Sequence, residues 1–234
     1  MEWEELPRLF PELEPAGAWL PLLQRHAELV TGAQPGVRVT SDGPAEWVRR
    51  HYAESLEMLR IAESGRGLAT TVVDVGSGGG WPGLIVAAVH PAVPVALVEP
   101  LKKRAALLEA WARELGLAEV EVVAERGEDA GRGRLRGTAD LVMARAVAEL
   151  RVVLEYTAPL AVVGGRIALA KGSAASRELA AAANALSLLG CEVEGTVSMR
   201  PEVSEHGVVV LVRKVTETDE RYPRRPGVAS KRPL

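Results

Sequence analysis

Cysteine is nearly absent from this 234-residue chain, and its single Cys191 excludes an internal disulfide and a cysteine-based metal site. A reducing, cytoplasmic setting is the expectation. No run of about 18 uninterrupted apolar residues exists, and the first residues, Met1-Glu2-Trp3-Glu4-Glu5, are acidic where an export signal is basic and then apolar. Neither a membrane span nor export is predicted. The four histidines, His26, His51, His90 and His206, show no paired ligand spacing, so no metal is expected. His51 falls on the apolar side of its helix and reads as a packed ring rather than a base.

What is present is a composition of 47% hydrophobic and 25% charged residues with 23 glycines and 15 prolines, which suits one fair-sized globular domain with a small attachment. The net charge of −3 hides an asymmetry. Residues 221–234 hold Arg221, Arg224, Arg225, Lys231 and Arg232 and no acid, so the rest of the chain is correspondingly acidic. Pro223, Pro226 and Pro233 predict an extended strap there, with Tyr222 as an anchor or a base-stacking ring. Its cations are candidates for RNA phosphates.

The pattern divides the chain into helices over residues 1–66, an alternating core over 67–216 and the basic tail 217–234. Leu20, Leu23, Ala27 and Val30 give one helical stripe, and Val48, Tyr52, Leu56 and Leu59 another, with Asp42 as its cap and Gly65 as its end. From Thr70 onward, β-branched runs alternate with helical ones. Strands are expected at 70–75, 93–98, 120–124, 139–143 and 166–170, with helices at 82–89, 102–115, 150–163 and 174–189. The last two strands, 192–197 and 207–215, have no helix between them and should pair antiparallel. This order predicts a mostly parallel sheet covered on both faces.

The chemistry concentrates in Asp74-Val75-Gly76-Ser77-Gly78-Gly79-Gly80-Trp81-Pro82-Gly83, a strand entering a glycine turn and a proline-started helix. Such glycines let backbone approach a ligand. Gly78, Gly80 and Gly83 formally match a dinucleotide fingerprint, which keeps an NAD-dependent oxidoreductase as a rival. Asp74 favours the other reading, because a carboxylate at the strand end repels a diphosphate and attracts an ammonium or sulfonium. S-adenosylmethionine carries both cations. Glu99, ending the next strand, can accept from both ribose hydroxyls of either cofactor. Glu125-Arg126-Gly127-Glu128-Asp129 follows the third strand, where it can contact adenine. Arg145 and Lys171 end the fourth and fifth strands on the same sheet edge, which points to an anionic substrate. Base amino-group methylation is disfavoured because no Pro-Pro-aromatic run follows the fourth strand, and Cys191 reads as core rather than nucleophile.

These residues resemble a known family. The glycine turn, Lys103-Arg104, Ala144-Arg145-Ala146, Lys171-Gly172, Tyr222-Pro223-Arg224-Arg225-Pro226-Gly227 and Lys231-Arg232-Pro233-Leu234 are similar to the bacterial small-subunit rRNA methyltransferase G family, also called glucose-inhibited division protein B. The likeness runs from about Trp47 to the end. It implies a Rossmann-like class I methyltransferase, a seven-stranded mostly parallel sheet with one antiparallel strand preceded by N-terminal helices. It also implies methyl transfer from S-adenosylmethionine to N7 of a guanine in 16S rRNA of the 30S subunit, with no DNA partner. Gly76, Trp81, Glu99, Gly127, Glu128 and Arg145 would line the cofactor site beside Asp74, Gly78 and Gly80 of the glycine turn. Arg126, Arg145 and Lys171 would act near the RNA. Trp81 stands where the family usually has phenylalanine, Glu99 where it has aspartate, and Arg38-Val39-Thr40 where it has Asn-Leu-Thr. Guanine N7 carries a lone pair and no proton, so its methylation needs neither a general base nor a covalent nucleophile. A non-catalytic RNA-binding protein of the same fold is the remaining alternative.

Overall fold

The computed structural model describes residues 1–13, 15–33 and 36–234. A short 3₁₀ turn leads into α1 (Leu6–Leu9), α2 (Ala16–Ala33), α3 (Pro44–Trp47) and α4 (Glu54–Glu63), with a π-helical stretch, Val48–Ala53, joining α3 to α4. The core follows as β1 (Val72–Val75), α5 (Gly83–Val89), β2 (Val95–Val98), α6 (Lys102–Glu114), β3 (Val120–Val123), α7 (Gly127–Ala130) and β4 (Ala139–Arg145). It continues through α8 (Leu150–Thr157), β5 (Ala161–Lys171), α9 (Ala175–Ala181), α10 (Ala183–Leu188), β6 (Cys191–Ser198) and β7 (Val208–Lys214), and the tail ends in α11 (Val228–Lys231).

The seven strands form one sheet in the order β3-β2-β1-β4-β5-β7-β6. Five are parallel, and β7 runs antiparallel to both β5 and β6. Because strand order reverses between β1 and β4, their loops diverge at the carboxyl edge and leave a crevice. The β-branched, four-residue β1 and β2 are buried throughout, as strands covered on both faces must be.

Alternate strand residues feed two apolar clusters. Val72, Leu97 and Met143 pack with the N-terminal helices, α5 and α6, whereas Val73, Val98 and Val142 pack with α8 and the tail. The N-terminal helices therefore share their core with the sheet. Arg200, beyond β6, fastens them further by pairing with buried Glu57 and lying over the Phe10 ring at 4.5 Å.

Several sequence expectations shift. The stripe of α2 runs through Trp19, Leu23, His26 and Val30, so a histidine takes a core position and Leu20 and Ala27 lie only half-buried. Asp42 caps nothing: Gly43 is the N-cap of α3, and the Asp42 carboxylate faces Arg50 and His51 instead. The helix expected over 150–163 stops at Thr157, and residues 161–163 begin β5. Pro159 removes the donor a further turn needs, and the β-branched Val162 and Val163 extend readily. The helix expected over 174–189 divides at Ala182.

The tail is a packed strap. Tyr222 and Ala229 are buried, Arg224 pairs with buried Glu155 of α8, Tyr156 Oη and Ser230 Oγ lie 3.0 Å apart, and Arg132 donates to the Pro223 carbonyl. Arg221 is paired as well, with Asp219. Two of its five cations are thus engaged within the molecule.

Candidate active site

A cavity of about 950 Å³ opens at the crevice between β1 and β4. Its floor is the turn Gly76–Gly79 with Trp81, and one wall is Arg145–Ala148 with Lys171. The opposite wall comes from the segment 38–42 and from Arg50, His51 and Glu54 of the helical run beneath it. That wall includes Arg38-Val39-Thr40, the departure from the family pattern.

The glycines of the turn do different work. Gly78, with φ +55°, lines the cavity, and among the described residues a Cβ there would meet only the Gly76 carbonyl, at 3.8 Å. Gly76, at φ +77°, lies against Val147 of the facing loop. Gly80, expected on the ligand, faces the other way: its Cβ would stand 2.5 Å from Leu84 and 3.3 Å from His26 Nε2, so it serves packing under the N-terminal helices. A Cβ on Gly83 would fall 2.2 Å from Leu97, which seats α5 tightly on the sheet.

Two acids brace the turn from behind instead of lining the cavity. Asp74 is fully buried and accepts from the Gly83 N–H at 3.0 Å, while its Oδ1 has no donor among the described residues. Burial raises its pKa to about 6. Glu99 accepts from the Gly78 N–H at 2.9 Å and the Leu101 N–H at 2.8 Å, tying the turn to the start of α6. Each of its oxygens retains acceptor capacity.

The side chain of Arg145 reaches across the crevice. It donates to the Arg50 carbonyl at 2.6 Å, to Glu54 at 3.2 Å and to His51 Nδ1 at 3.1 Å. Its Nε is buried and has no hydrogen-bond partner among the described residues. Burial lowers the Arg145 pKa and raises that of Glu54, which is the cost of desolvating both ions. The next residue, Ala146, sits at φ +56°, a strained position for a residue with a Cβ at the cavity wall. Lys171 is likewise engaged, with Glu178 at 2.8 Å and the Ala148 carbonyl. Each of the two cations expected to hold an anionic substrate therefore has an acid beside it.

His51 is a packed ring, as its place on the apolar side of the helix suggests, and it has a second role at the cavity. It stacks on Trp81 with centroids 4.1 Å apart and planes 16° apart, and it also borders the cavity. Since arginine only donates, Nδ1 accepts from Arg145, and Nε2 carries the proton toward Thr40 Oγ1, 2.9 Å away, and Asp42. Both nitrogens are occupied. The available signal was the polar set Arg50, His51 and Glu54 interrupting a buried helix face.

Of the remaining candidates, Arg126 is exposed and does not line the cavity. Gly127 is buried against Tyr156 and Val75. Glu128 was expected at the cofactor, yet its carboxylate accepts the Gly227 N–H of the strap at 2.9 Å, which draws it toward the tail.

Burial lowers the pKa of His51 to about 4 and that of His26 to about 3. Both folded values lie below the unfolded value of about 6.5, so the unfolded chain protonates first and stability falls as pH drops from about 6.5. Asp74, raised to about 6, acts oppositely between about 4 and 6. His51→Gln should remove about 3 kcal/mol of the acid-induced loss between pH 6.5 and 4 in urea titrations. An unchanged pH profile would contradict the neutral, buried ring.

The sheet order, the antiparallel seventh strand and the glycine turn at the β1/β4 crevice define a Rossmann-like protein of the class I methyltransferase fold. A family model described as rRNA small subunit methyltransferase G matches residues 22–206, and the chain belongs to that family. It is 38% identical to the ribosomal RNA small subunit methyltransferase G of Symbiobacterium thermophilum, over 99% of this chain and 96% of that one. The Pelotomaculum thermopropionicum protein of the same name is 39% identical over 82% and 80%. The fold is shared with cofactor-bound Rv0187 from MTB, at a TM-score of 0.58, 19% identity and coverage of 85% and 91%. A SAM dependent methyltransferase from Aquifex aeolicus gives a TM-score of 0.55 at 19% identity, covering 74% and 95%.

Proposed function

We propose that this chain transfers the methyl group of S-adenosylmethionine to N7 of a guanine in 16S rRNA by direct displacement, working on the 30S subunit or its RNA in the cytoplasm. Family membership supports the reaction class, and the cavity supports its assignment to the β1/β4 crevice. The observation that carries the reading is the turn itself. Gly78 lines the cavity with open space around its Cβ position, and the two acids behind the turn favour a cationic ligand over a diphosphate.

The residues fit the cofactor on three counts. Asp74 Oδ1 is a buried acceptor without a donor among the described residues. Glu99 keeps lone pairs for hydroxyl donors after bonding Gly78 and Leu101. The cavity volume suffices for a cofactor and a substrate base. Gly76, Gly78 and Trp81 would hold the cofactor, with Asp74 and Glu99 supporting them. When bound, S-adenosylmethionine supplies an electrophilic methyl group.

The protein's own task is orientation. Arg145, held by Glu54 and His51, fixes the crevice wall against which a substrate base would be oriented. His51 lacks a free lone pair and N7 has no proton to lose, so no side chain has to act as a base. Calorimetric titration separates this reading from the oxidoreductase one. S-adenosylhomocysteine should bind and NAD should not; NAD binding without S-adenosylhomocysteine binding would reverse the assignment.

A further inference from the structure

An RNA substrate raises an electrostatic problem. The chain carries a net charge of −3, the inner cations Arg145 and Lys171 sit beside Glu54 and Glu178, and two cations of the strap are paired. Phosphate attraction has to come from a local surface of unspent cations.

Such a surface lies on the cavity rim. Arg104 lines the cavity and donates through Nε and Nη2, at 3.2 and 2.8 Å, to the carbonyl of Arg38, which lines it too. That clasp joins the first turn of α6 to the segment leading into α3, so cations from two elements meet at one edge. Arg38, Lys102 and Lys103 are exposed, and no acid of the described residues pairs with them. Arg50, on the same cavity wall as Arg38, adds a fifth charge, partly offset by Asp42 at 3.6 Å.

The placement runs against helix stability. The first turn of α6 holds Lys102, Lys103 and Arg104 and no acid, where the helix dipole favours negative charge. A like-charged cluster at that position repels itself and the dipole, and an external polyanion relieves both. Leu101, 53% exposed in the same turn, offers an apolar surface to a base. The strap lies on the other face of the sheet: α6 packs through Leu108 and Trp111 into the cluster of the N-terminal helices, whereas Tyr222 and Ala229 belong to the opposite cluster.

We infer that Arg38, Lys102 and Lys103, with Arg50 and Arg104, form the RNA-phosphate rim of the cavity, so that the substrate strand enters over the start of α6 and the segment before α3. The inference rests on the RNA-methylating function proposed above. It transfers the role expected of the tail and of Arg126 to a surface that borders the cavity.

The test compares Arg38→Ala/Lys102→Ala/Lys103→Ala with Arg225→Ala/Lys231→Ala/Arg232→Ala in binding to 16S rRNA across a salt series. The rim variant should lower the slope of log affinity against log salt by about 2 to 3, one phosphate contact per cation. It should keep wild-type affinity for S-adenosylhomocysteine, and its Tm should hold or rise because the helix dipole is relieved. The tail variant should keep the wild-type slope. An unchanged slope in the rim variant, or a flattened slope in the tail variant alone, overturns the inference. The two readings fail separately. A wild-type protein that methylates 16S rRNA while the rim variant keeps its slope refutes the rim alone, and a wild-type protein that methylates no RNA refutes the function while the slopes still report on the rim.

Discussion

Arg145→Ala is expected to lower methyl transfer ~100-fold, the scale of misplacing a substrate by about 1 Å when the crevice wall loses its bracing to Glu54 and His51. The same change should cost stability of about 3 kcal/mol, because Glu54 is left largely buried without its cation. Activity and folding can be separated. In Arg145→Met/Glu54→Gln the stranded charge is gone, so most of the stability should return while turnover stays at the level of Arg145→Ala. Urea unfolding and single-turnover methyl transfer measure the two. Wild-type turnover in a folded Arg145→Ala protein would remove the arginine from the site, and recovery of turnover in the double variant would make its role purely structural.

Gly78→Val should abolish measurable S-adenosylhomocysteine binding, a loss of at least ~100-fold or about 2.7 kcal/mol. Gly78 lines the cavity, and among the described residues outside its own chain neighbours only the Gly76 carbonyl lies within 4 Å of the new Cβ, so the side chain would take up cavity space. Left-handed backbone at φ +55° adds strain of about 1–2 kcal/mol, small beside a typical stability of about 5–15 kcal/mol. Gly116→Val is the matched control. Gly116 has φ +69° and open space around it, but it closes α6 outside the cavity lining, so it should reproduce the strain and leave binding intact. Equal binding losses in both variants would show that Gly78 matters only for the fold.

These two residues were legible in the sequence because each sits at a strand end, where a period-two run stops and chemistry begins. Arg145 ends β4 and the glycine turn follows β1, and strand alternation alone places both at one sheet edge. The sorting of glycines was not legible. Gly78 and Gly80 look alike as letters, and only the packing of Leu84 and His26 against Gly80 shows that it faces inward.

The second wall was lost for a related reason. Residues 38–42 have no periodicity, and they reach the crevice because Trp47, Val48 and Tyr52 bury the helical run beneath them. His51 was read from its helix alone, where an apolar neighbourhood suggests packing. The ring does pack on Trp81, yet its edge faces Arg145, a residue that sequence distance hides. Glu128 shows the same limit: its loop position suggests a ligand contact, while its hydrogen bond to the strap, 99 residues further along the chain, is invisible in the sequence.

The most direct measurement is methyl transfer from labelled S-adenosylmethionine to 30S subunits lacking the modification and to naked 16S rRNA, followed by nucleoside analysis. Label is expected in 7-methylguanosine of 16S rRNA, in at least one of the two substrates, and is expected to vanish with Gly78→Val and to fall ~100-fold with Arg145→Ala. Label on an exocyclic amine, a ribose or a pyrimidine carbon, or no transfer to either substrate by protein that binds S-adenosylhomocysteine, would contradict the account.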